Sequence, residues 1–426
     1  MHEIITLQIG QAGNSIGKKF WEYVCNEHGI DLKGRFHGEN DLQLERINVY
    51  FTETRQGNYV PRSIFTDLDQ NSMNRIRNST YGCLFNPDLL INGKMSASNN
   101  FAKGFFTEGA ELLPELIEKI RRIAEECDLV HGFQFVHGIS GGCGGGLGSL
   151  LLDHIRQEYS DRMIKSYSIF PALSMSQVVV EPYNSVLTMT HLMENTDETF
   201  CFDNVALFEI LHKTLPLSSS NYTDTNQILA QVMIGITACF RFPGQLNMDL
   251  RKLAVNMIPF HSLHFLMTSF SPFQTREIAS YQNFTEHSLI KQMFDKNHQM
   301  VAVHPREGRY LTATGIFRGQ SLSIKLLYDL LAKEKLNQQF IEWIPNNCKI
   351  AHCDIPPQGL SRSVTGIGNH TGIRKQFDYL LQPFKKLLRR RAFIHWFISE
   401  GMEETELNEA ENRIQDLIKQ YESIER

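Results

Sequence analysis

The chain has 426 residues, which predicts two or three domains if a domain takes roughly 150 residues. Hydrophobic residues make up 42% of the chain and charged residues 21%, a composition that excludes a disordered protein. The formal net charge of −5 excludes a protein that coats nucleic acid by bulk charge. No apolar run approaches the roughly 18 residues that a membrane span requires, and the N-terminus is not typical of a signal peptide. We therefore expect a soluble cytoplasmic protein with neither a nucleic-acid nor a membrane partner.

The cysteines and histidines do not predict a metal centre. The eight cysteines contain no C-x-x-C pair, as expected of reduced thiols in the cytosol. His261 and His264 are spaced H-x-x-H, but the acidic residues that usually complete such a site are absent nearby. A role in the core or in a loop is the favoured interpretation for both.

The first 200 residues alternate short apolar runs with longer patterns of helical spacing. Strands alternating with helices predict a mostly parallel sheet that is covered on both faces. The predicted strands are Ile4–Ile9, Ile47–Phe51, Ser63–Leu68 and Leu129–Ile139, and the predicted helices are Gly10–Cys25, Glu111–Cys127 and Leu147–Tyr159.

The second half of the chain has a different organisation. A long helix is predicted over Tyr222–Phe242, where it would connect the two halves. Residues 245 to 370 mix strands and short helices with Gly and Pro punctuation. The last 50 residues are predicted to be helical.

The most informative segment is the glycine cluster from Ser140 to Gly148, in which six of nine residues are glycine. It joins a predicted strand to a predicted helix. Glycines let backbone N–H groups approach an anion, and the helix adds its unpaired N–H groups and positive dipole end. No Gly-Lys-Ser/Thr follows, so this is not a Walker A loop. The alternative interpretation is a flexible linker or a tight turn.

A second glycine turn, Gly10 to Gly13, follows the first predicted strand and opens a helix in the same way. Two such turns in one α/β domain indicate a ligand at the carboxyl ends of the strands.

Read together, these residues resemble the tubulin family, and its β branch most of all. The glycine cluster looks like the tubulin signature, and the resemblance runs through essentially the whole chain. The other runs that carry it are Asp41–Tyr50 (DLQLERINVY), Thr107–Leu112 (TEGAEL), Glu194–Thr199 (ENTDET), Arg241–Leu246 (RFPGQL), Leu250–Asn256 (LRKLAVN) and Glu342–Asn347 (EWIPNN).

The resemblance implies the domain organisation of the tubulin/FtsZ-like α/β fold. Residues 1–205 would form a Rossmann-like, parallel-sheet GTP-binding domain, and residues 206–243 the region of the central connecting helix. Residues 244–371 would form an intermediate domain with a mixed sheet. Residues 372–426 would form a C-terminal helical hairpin.

The resemblance also implies GTP or GDP as ligand, with Mg²⁺. Gln11 and the N–H groups of the glycine cluster would contact the phosphates, Asn99 and Ala97 would lie in the γ-phosphate sensor loop, Glu181 would face the ribose, and Asn204, Asn226 and Tyr222 would hold the guanine. Asp69 would act on Mg²⁺ through water. The full set implied for the nucleotide is Gln11, Ala12, Ser15, Asn99, Gly138, Ser140, Gly141, Gly142, Cys143, Gly144, Glu181, Asn204, Tyr222 and Asn226.

Several of these positions depart from the family pattern. Cys143 stands in place of a threonine, Ser15 in place of a glutamine, Gln177 in place of an aspartate, and Asp69 in place of a glutamate. Gly138 and Gly145 stand in place of serines. Each change would weaken phosphate or ribose contacts by on the order of 1 kcal/mol, the usual net contribution of a hydrogen bond.

Catalysis would require a second chain, because tubulin nucleotides lie at head-to-tail subunit contacts. In this family the capping loop of the next subunit supplies the catalytic residue, a glutamate in α-tubulin. Here the corresponding residues are Asp249 to Lys252, and a lysine offers no base at neutral pH. The chain is therefore expected not to hydrolyse the nucleotide that it caps. Its own GTP would be hydrolysed by a glutamate of α-tubulin.

The remaining features concern partners. Arg276 and Tyr281 fall in the predicted lateral-contact loop, Pro356-Pro357 is not followed by the α-tubulin insertion, and no Glu-rich tail precedes Arg426. We expect a microtubule subunit that pairs with α-tubulin, joins further dimers in protofilaments and meets motors and microtubule-associated proteins in the cytoskeleton. The alternative is a specialised tubulin-like regulatory protein that does not co-assemble freely. The basic run of Lys385 to Arg391 is interpreted as a solvated helix face or a contact with an acidic partner.

Overall fold

The computed structural model describes residues 2–38, 40–213, 221–244, 250–273, 284–320 and 322–425. The strands in these ranges are β1 (Glu3–Ile9), β2 (Phe51–Glu53), β3 (Tyr59–Pro61), β4 (Ser63–Asp67), β5 (Leu90–Asn92), β6 (Val130–Gly138), β7 (Met163–Phe170), β8 (Glu198–Asp203), β9 (Phe265–Ser271), β10 (Tyr310–Gly319), β11 (Cys348–Cys353) and β12 (Arg362–His370). The α-helices are α1 (Gly10–His28), α2 (Gln70–Arg77), α3 (Glu108–Glu126), α4 (Gly148–Glu158), α5 (Glu181–Asn195), α6 (Asn204–Lys213), α7 (Tyr222–Arg241), α8 (Leu250–Met257), α9 (Glu286–Met293), α10 (Ile324–Asn337), α11 (Arg374–Arg389), α12 (Ile394–Ile398) and α13 (Glu404–Glu425).

One ten-stranded sheet runs through the molecule in the order β11-β10-β12-β9-β8-β7-β6-β1-β4-β5. From β5 to β9 every neighbouring pair is parallel, which confirms the predicted mostly parallel sheet. Strand β12 runs antiparallel to both β9 and β10. Because β12 reverses direction between them, β9 and β10 point the same way as the parallel strands.

Each face of the sheet is covered by helices that bury an apolar stripe. In β1, Ile5 and Leu7 belong to the core under α3, α4, α5, α11 and α13, whereas Ile4 belongs to the core under α1 and α7. This alternation follows from the two-residue period of a strand. Among the described residues, no helix combines the length and apolar character that a bilayer span requires.

A buried ionic cluster connects the two halves of the chain. Glu27 at the end of α1 forms ion pairs with Arg241 of α7 at 2.7 Å and with Arg318 of β10 at 3.0 Å. Burial alone would raise the pKa of Glu27, but the two guanidinium groups hold it below its usual value. Removing Glu27 would leave two buried guanidinium groups without the carboxylate that pairs with both.

Most of the predicted helices and strands are present in the structure with shifted ends, and one strand prediction is wrong. The run from Ile47 to Phe51 contains a 3₁₀ turn, Ile47–Val49, and only Phe51 is part of a strand. The buried Arg62 explains this, because its guanidinium donates to the carbonyls of Asn48 and Val49 at 3.0 and 3.2 Å. These carbonyls therefore need no neighbouring strand.

Candidate nucleotide-binding site

A cavity of about 500 Å³ opens at the carboxyl edge of the parallel strands. Ile9, Asp67 and Gly138 line it from the last positions of β1, β4 and β6. This edge is where ligands bind in open parallel sheets with helices on both faces. The volume lies in the range of roughly 300–1,000 Å³ that is usual for small-molecule sites.

The turn from β1 into α1 forms one wall of this cavity. Gly10 has φ of +73°, and a Cβ built on it would lie 3.0 Å from the nitrogen of Gly144. Only glycine satisfies both the backbone conformation and the close approach. The N-cap residue Ile9 supplies no side-chain hydrogen bond. An anion in the cavity could therefore cap the first turn of α1, in which Gln11 and Ala12 line the cavity.

The glycine cluster forms the facing wall, and it is more helical than predicted. A π-helical turn spans Gly142–Leu147 and continues into α4, so the helix begins five residues before the predicted start at Leu147. Its N-cap, Gly141, again provides no side-chain cap. Two helix N-termini without side-chain caps therefore border one cavity, which is the arrangement that favours a phosphate chain.

Two carboxylates lie where β4 leaves the sheet. Asp69 caps α2 by accepting the N–H of Asn71 at 3.1 Å, and Asp67 is buried. Burial raises the pKa of Asp67, the charge of Asp69 raises it further, and hydrogen bonds from Ser72, the Asp69 N–H and Cys143 counteract the rise. A hard cation fits beside these oxygens. Among the described residues, no group of three His, Cys, Asp or Glu side chains could hold a metal, so Mg²⁺ here would need phosphate or water ligands as well.

Cys143 points its thiol toward this acidic end. Burial and the neighbouring charge of Asp67 raise the pKa of the thiol well above its usual value. The side chain is therefore a neutral thiol, which can donate a hydrogen bond but only weakly.

Glu181 borders the middle of the cavity as the first residue of α5. Its Oε2 atom is buried and finds no hydrogen-bond partner among the described residues. Burial raises the pKa of this carboxyl, and a hydrogen bond with Ser176 counteracts the rise. A buried carboxylate oxygen without a donor is suited to accept a hydroxyl group of a ligand.

The far end of the cavity carries amides and an aromatic ring. Asn204 begins α6 and Asn226 lies on α7, so each presents an amide donor and acceptor. Tyr222 at the start of α7 is 64% exposed, and its ring is held edge-on by Phe208 at a centroid distance of 5.5 Å. This end is equipped to hydrogen-bond a planar heterocycle and to stack on it.

Every residue predicted for the nucleotide, and Asp69, lines this cavity. Gln177, which the resemblance associates with the ribose, does not line it. The sequence interpretation missed Asp67, Asn71, Arg75, Ser96 and Ser98, which also line it. The position of Asp67 at the end of a predicted strand was a usable signal, whereas the others lie on a short helix and a loop without a distinctive pattern.

Three predicted contact residues, Asp249, Arg276 and Tyr281, lie outside the described residues. Lys252 is exposed on α8. Asn256 donates to the carbonyl of Lys252 at 2.7 Å and accepts from Lys349, near the start of β11, at 2.7 Å. Lys252 therefore lies toward the amino edge of the parallel strands, away from the cavity.

Comparison with known families agrees with this architecture. Residues 3–212 match the Tubulin/FtsZ family GTPase domain, and residues 262–382 match the Tubulin C-terminal domain. The first match contains most of the cavity and the second contains β9 to β12, so the two matches together span most of the chain. The chain is a cytoskeletal protein of the kind that binds guanine nucleotide and self-associates into polymers, and it belongs to the tubulin family.

Proposed function

We propose that the chain is a β-type tubulin, which pairs with α-tubulin and polymerises head to tail as a GTP-binding subunit of microtubules. The observation that carries the proposal is the cavity bordered by two helix N-termini without side-chain caps, next to a pair of carboxylates. That combination suits a phosphate chain with a hard cation. The β assignment is supported by the sequence runs of that branch, including the passage from Pro357 to Leu360 without an insertion.

GTP would lie in the cavity in one direction. The phosphates would lie against Gln11 and the segment from Ser140 to Gly144, the ribose against Glu181, and the guanine against Asn204, Asn226 and Tyr222. Mg²⁺ beside Asp67 and Asp69 would offset the charge of the phosphates. The buried Oε2 of Glu181 supports this direction, because a ribose hydroxyl would supply the missing donor.

Head-to-tail association is supported by apolar side chains at both ends of the sheet. At the carboxyl edge, beside the cavity, Tyr222 and Val179 are 64% and 58% exposed. At the amino edge, Phe260 lies just before the start of β9. Trp343 lies at the same edge, because Phe340, three residues earlier, forms a β-bridge with the first residue of β10. Their rings lie 6.0 Å apart, and Trp343 is 58% exposed. Contact between two different faces of this kind generates an open filament when the rotation between subunits does not close into a ring.

Hydrolysis would depend on the neighbouring subunit. Lys252 lies on the face that would cap the next nucleotide, where an ammonium group stabilises charge but cannot deprotonate water. A glutamate of α-tubulin docking over this chain's own cavity would supply the missing base. The polymer would then join the cytoplasmic cytoskeleton, where motors and microtubule-associated proteins bind.

Assembly-dependent GTP turnover tests this function. The chain is co-expressed with α-tubulin, and phosphate release is followed with light scattering as the concentration is raised through the assembly threshold. We expect phosphate release to begin only with assembly. Steady turnover by the isolated chain, or a failure to co-assemble, would contradict the proposal, and the latter would favour a specialised regulatory tubulin.

A further inference from the structure

Asn184, on α5, has every hydrogen-bonding atom of its side chain in use. Its Nδ2 atom donates to the carbonyl of Asn99 at 2.7 Å and to the carbonyl of Ser140 at 2.9 Å. Its Oδ1 atom accepts the N–H of Phe101 at 3.1 Å. The residue is fully buried, and the two carbonyl acceptors fix the orientation of the amide, because a flipped amide would bring oxygen against oxygen.

Asn184 therefore joins two segments that are far apart in sequence. Asn99 lies in the loop before α3, and Ser140 lies in the glycine cluster. Both residues line the cavity, whereas Asn184 itself does not. One turn further along α5, the Thr188 hydroxyl lies 3.1 Å from the carbonyl of Ile139, the residue before the cluster, and 2.7 Å from the carbonyl of Asn184 in its own helix.

These contacts determine how the backbone of the cluster is turned. In a planar trans peptide the carbonyl and the following N–H point in opposite directions. Since the carbonyls of Ile139 and Ser140 point at α5, the N–H groups of Ser140 and Gly141 point away from it. Neither N–H finds an acceptor among the described residues, and both residues border the cavity.

We infer that Asn184 is a positioning residue that fixes the glycine cluster and the Asn99 loop in a single relative arrangement, and thereby sets the preference for a nucleoside triphosphate over a diphosphate. The inference rests on the proposed function. In the proposed orientation of GTP, a diphosphate would lie mainly against the glycine cluster, whereas the third phosphate would also lie against the Asn99 loop, which borders the same cavity. A preorganised pair of segments binds the longer ligand without first having to be ordered.

The test compares the GTP and GDP affinities of the full chain co-expressed with α-tubulin, measured for the cavity of this chain. Asn184→Ala should weaken GTP binding by about tenfold or more and GDP binding less, so that the ratio of the two affinities falls. Asn184→Asp keeps the shape but turns a carboxylate oxygen toward two carbonyls, and it should lower the ratio further. Thr188→Val should weaken both ligands alike, because it releases only the glycine cluster.

Ser185→Ala is the matched control, because Ser185 is a buried neighbour on α5 whose hydroxyl has no hydrogen-bond partner among the described residues. It should leave the GTP/GDP ratio unchanged. If Asn184→Ala lowers the thermal midpoint but keeps the wild-type ratio, Asn184 is only structural and the inference is wrong. If the wild type binds neither nucleotide, the proposed function fails as well.

Hydrogen exchange keeps the inference testable if the Asn184 variants do not fold. In the wild-type dimer the Phe101 N–H, which donates to the Oδ1 atom of Asn184, should exchange more slowly when the cavity of this chain holds GTP than when it holds GDP. Equal exchange rates in the two states would overturn the inference.

Discussion

Lys165 and Glu198 lie directly opposite each other on the parallel strands β7 and β8, and both are buried. The ammonium group lies over the rings of Phe200 and Phe240, each centroid 4.8 Å away. Neither the ammonium nor either carboxylate oxygen makes a hydrogen bond to another described residue. A charged pair without hydrogen bonds in an apolar core is costly to bury.

The two pKa values of this pair move toward each other. Burial lowers the pKa of Lys165 and raises that of Glu198, while their mutual attraction counteracts both shifts. Because the pKa of Glu198 is higher in the folded state than in the unfolded state, its contribution to stability is lost as the pH rises from the unfolded-state pKa through the folded-state pKa. Because the pKa of Lys165 is lower in the folded state, its contribution to stability is lost as the pH falls from the unfolded-state pKa through the folded-state pKa. Both contributions are therefore lacking near neutral pH.

Replacing either Lys165 or Glu198 alone should lower the free energy of unfolding more than replacing both. Lys165→Met should cost about 3–5 kcal/mol, because it leaves the Glu198 carboxyl buried alone. The deficit should grow as the pH rises from acid to neutral, since the pKa of the lone carboxyl is raised further. The double change Lys165→Met/Glu198→Leu should be neutral or stabilising. Thermal midpoints of the single and double variants across pH provide the measurement, and additive losses would contradict this account.

Tyr222 should contribute to nucleotide binding without contributing much to folding. Because its ring is 64% exposed at the end of the cavity, a base can stack on it at little structural cost. Tyr222→Ala should weaken guanine nucleotide binding by about 1–3 kcal/mol, the usual contribution of a base stacked on an aromatic ring. Tyr222→Phe, which keeps the ring, should bind as the wild type does. Equal losses in both variants would indicate that the hydroxyl, not stacking, is responsible.

Glu181 should recognise the ribose. Glu181→Gln should weaken GTP binding by about 1.5 kcal/mol or more, as expected for a hydrogen bond to a charged group. The same variant should bind 2′,3′-dideoxy-GTP as well as the wild type does, because that ligand lacks the hydroxyls. The raised pKa of Glu181 also predicts a pH dependence of GTP affinity, because lowering the pH through this pKa protonates the carboxylate. Wild type and variant should then converge in GTP affinity, and a constant difference across pH would count against this role.

Cys143 is the departure from the family pattern whose reversal should strengthen binding. A hydroxyl donates a hydrogen bond more strongly than a neutral thiol does. Cys143→Thr should therefore improve GTP affinity by about 1 kcal/mol. Cys143→Val has the same shape without a donor and should not improve it. If both variants bind equally, the side chain at this position makes no contact with the phosphates.

Patterns within short stretches of sequence predicted the two glycine turns of the site, because strand ends and glycine turns are local features. The residues expected to hold the ribose, the guanine and Mg²⁺ were predicted only from the resemblance to the tubulin family. Gly10 and the glycine cluster that follows Ile139 could be placed at the carboxyl edge from the alternation of strands and helices, once the sheet was taken as parallel. The π-helical turn at Gly142–Leu147 was missed because glycine is a poor helix former. Packing of its backbone against the loop around Asn100 explains the turn, since a Cβ on Gly142 would lie 2.6 Å from that residue's carbonyl oxygen.

The contacts of Asn184 and Lys165 could not be predicted from local patterns. Asn184 reads as an ordinary polar residue inside a helix, and its partners lie 44 to 85 residues away along the chain. Lys165 interrupts an apolar strand, but only the register between β7 and β8 brings Glu198 opposite it. Such long-range pairs depend on the assembled sheet.

The nucleotide content of the gel-filtered complex with α-tubulin tests the central claim most directly. The chain and α-tubulin are co-expressed, the dimer peak is isolated, and its bound guanine nucleotides are extracted and quantified against protein. The account predicts a dimer that retains one guanine nucleotide on each chain. A dimer that holds only the nucleotide of its partner would contradict GTP binding in the cavity, and the absence of any dimer would contradict the role of a β-type subunit.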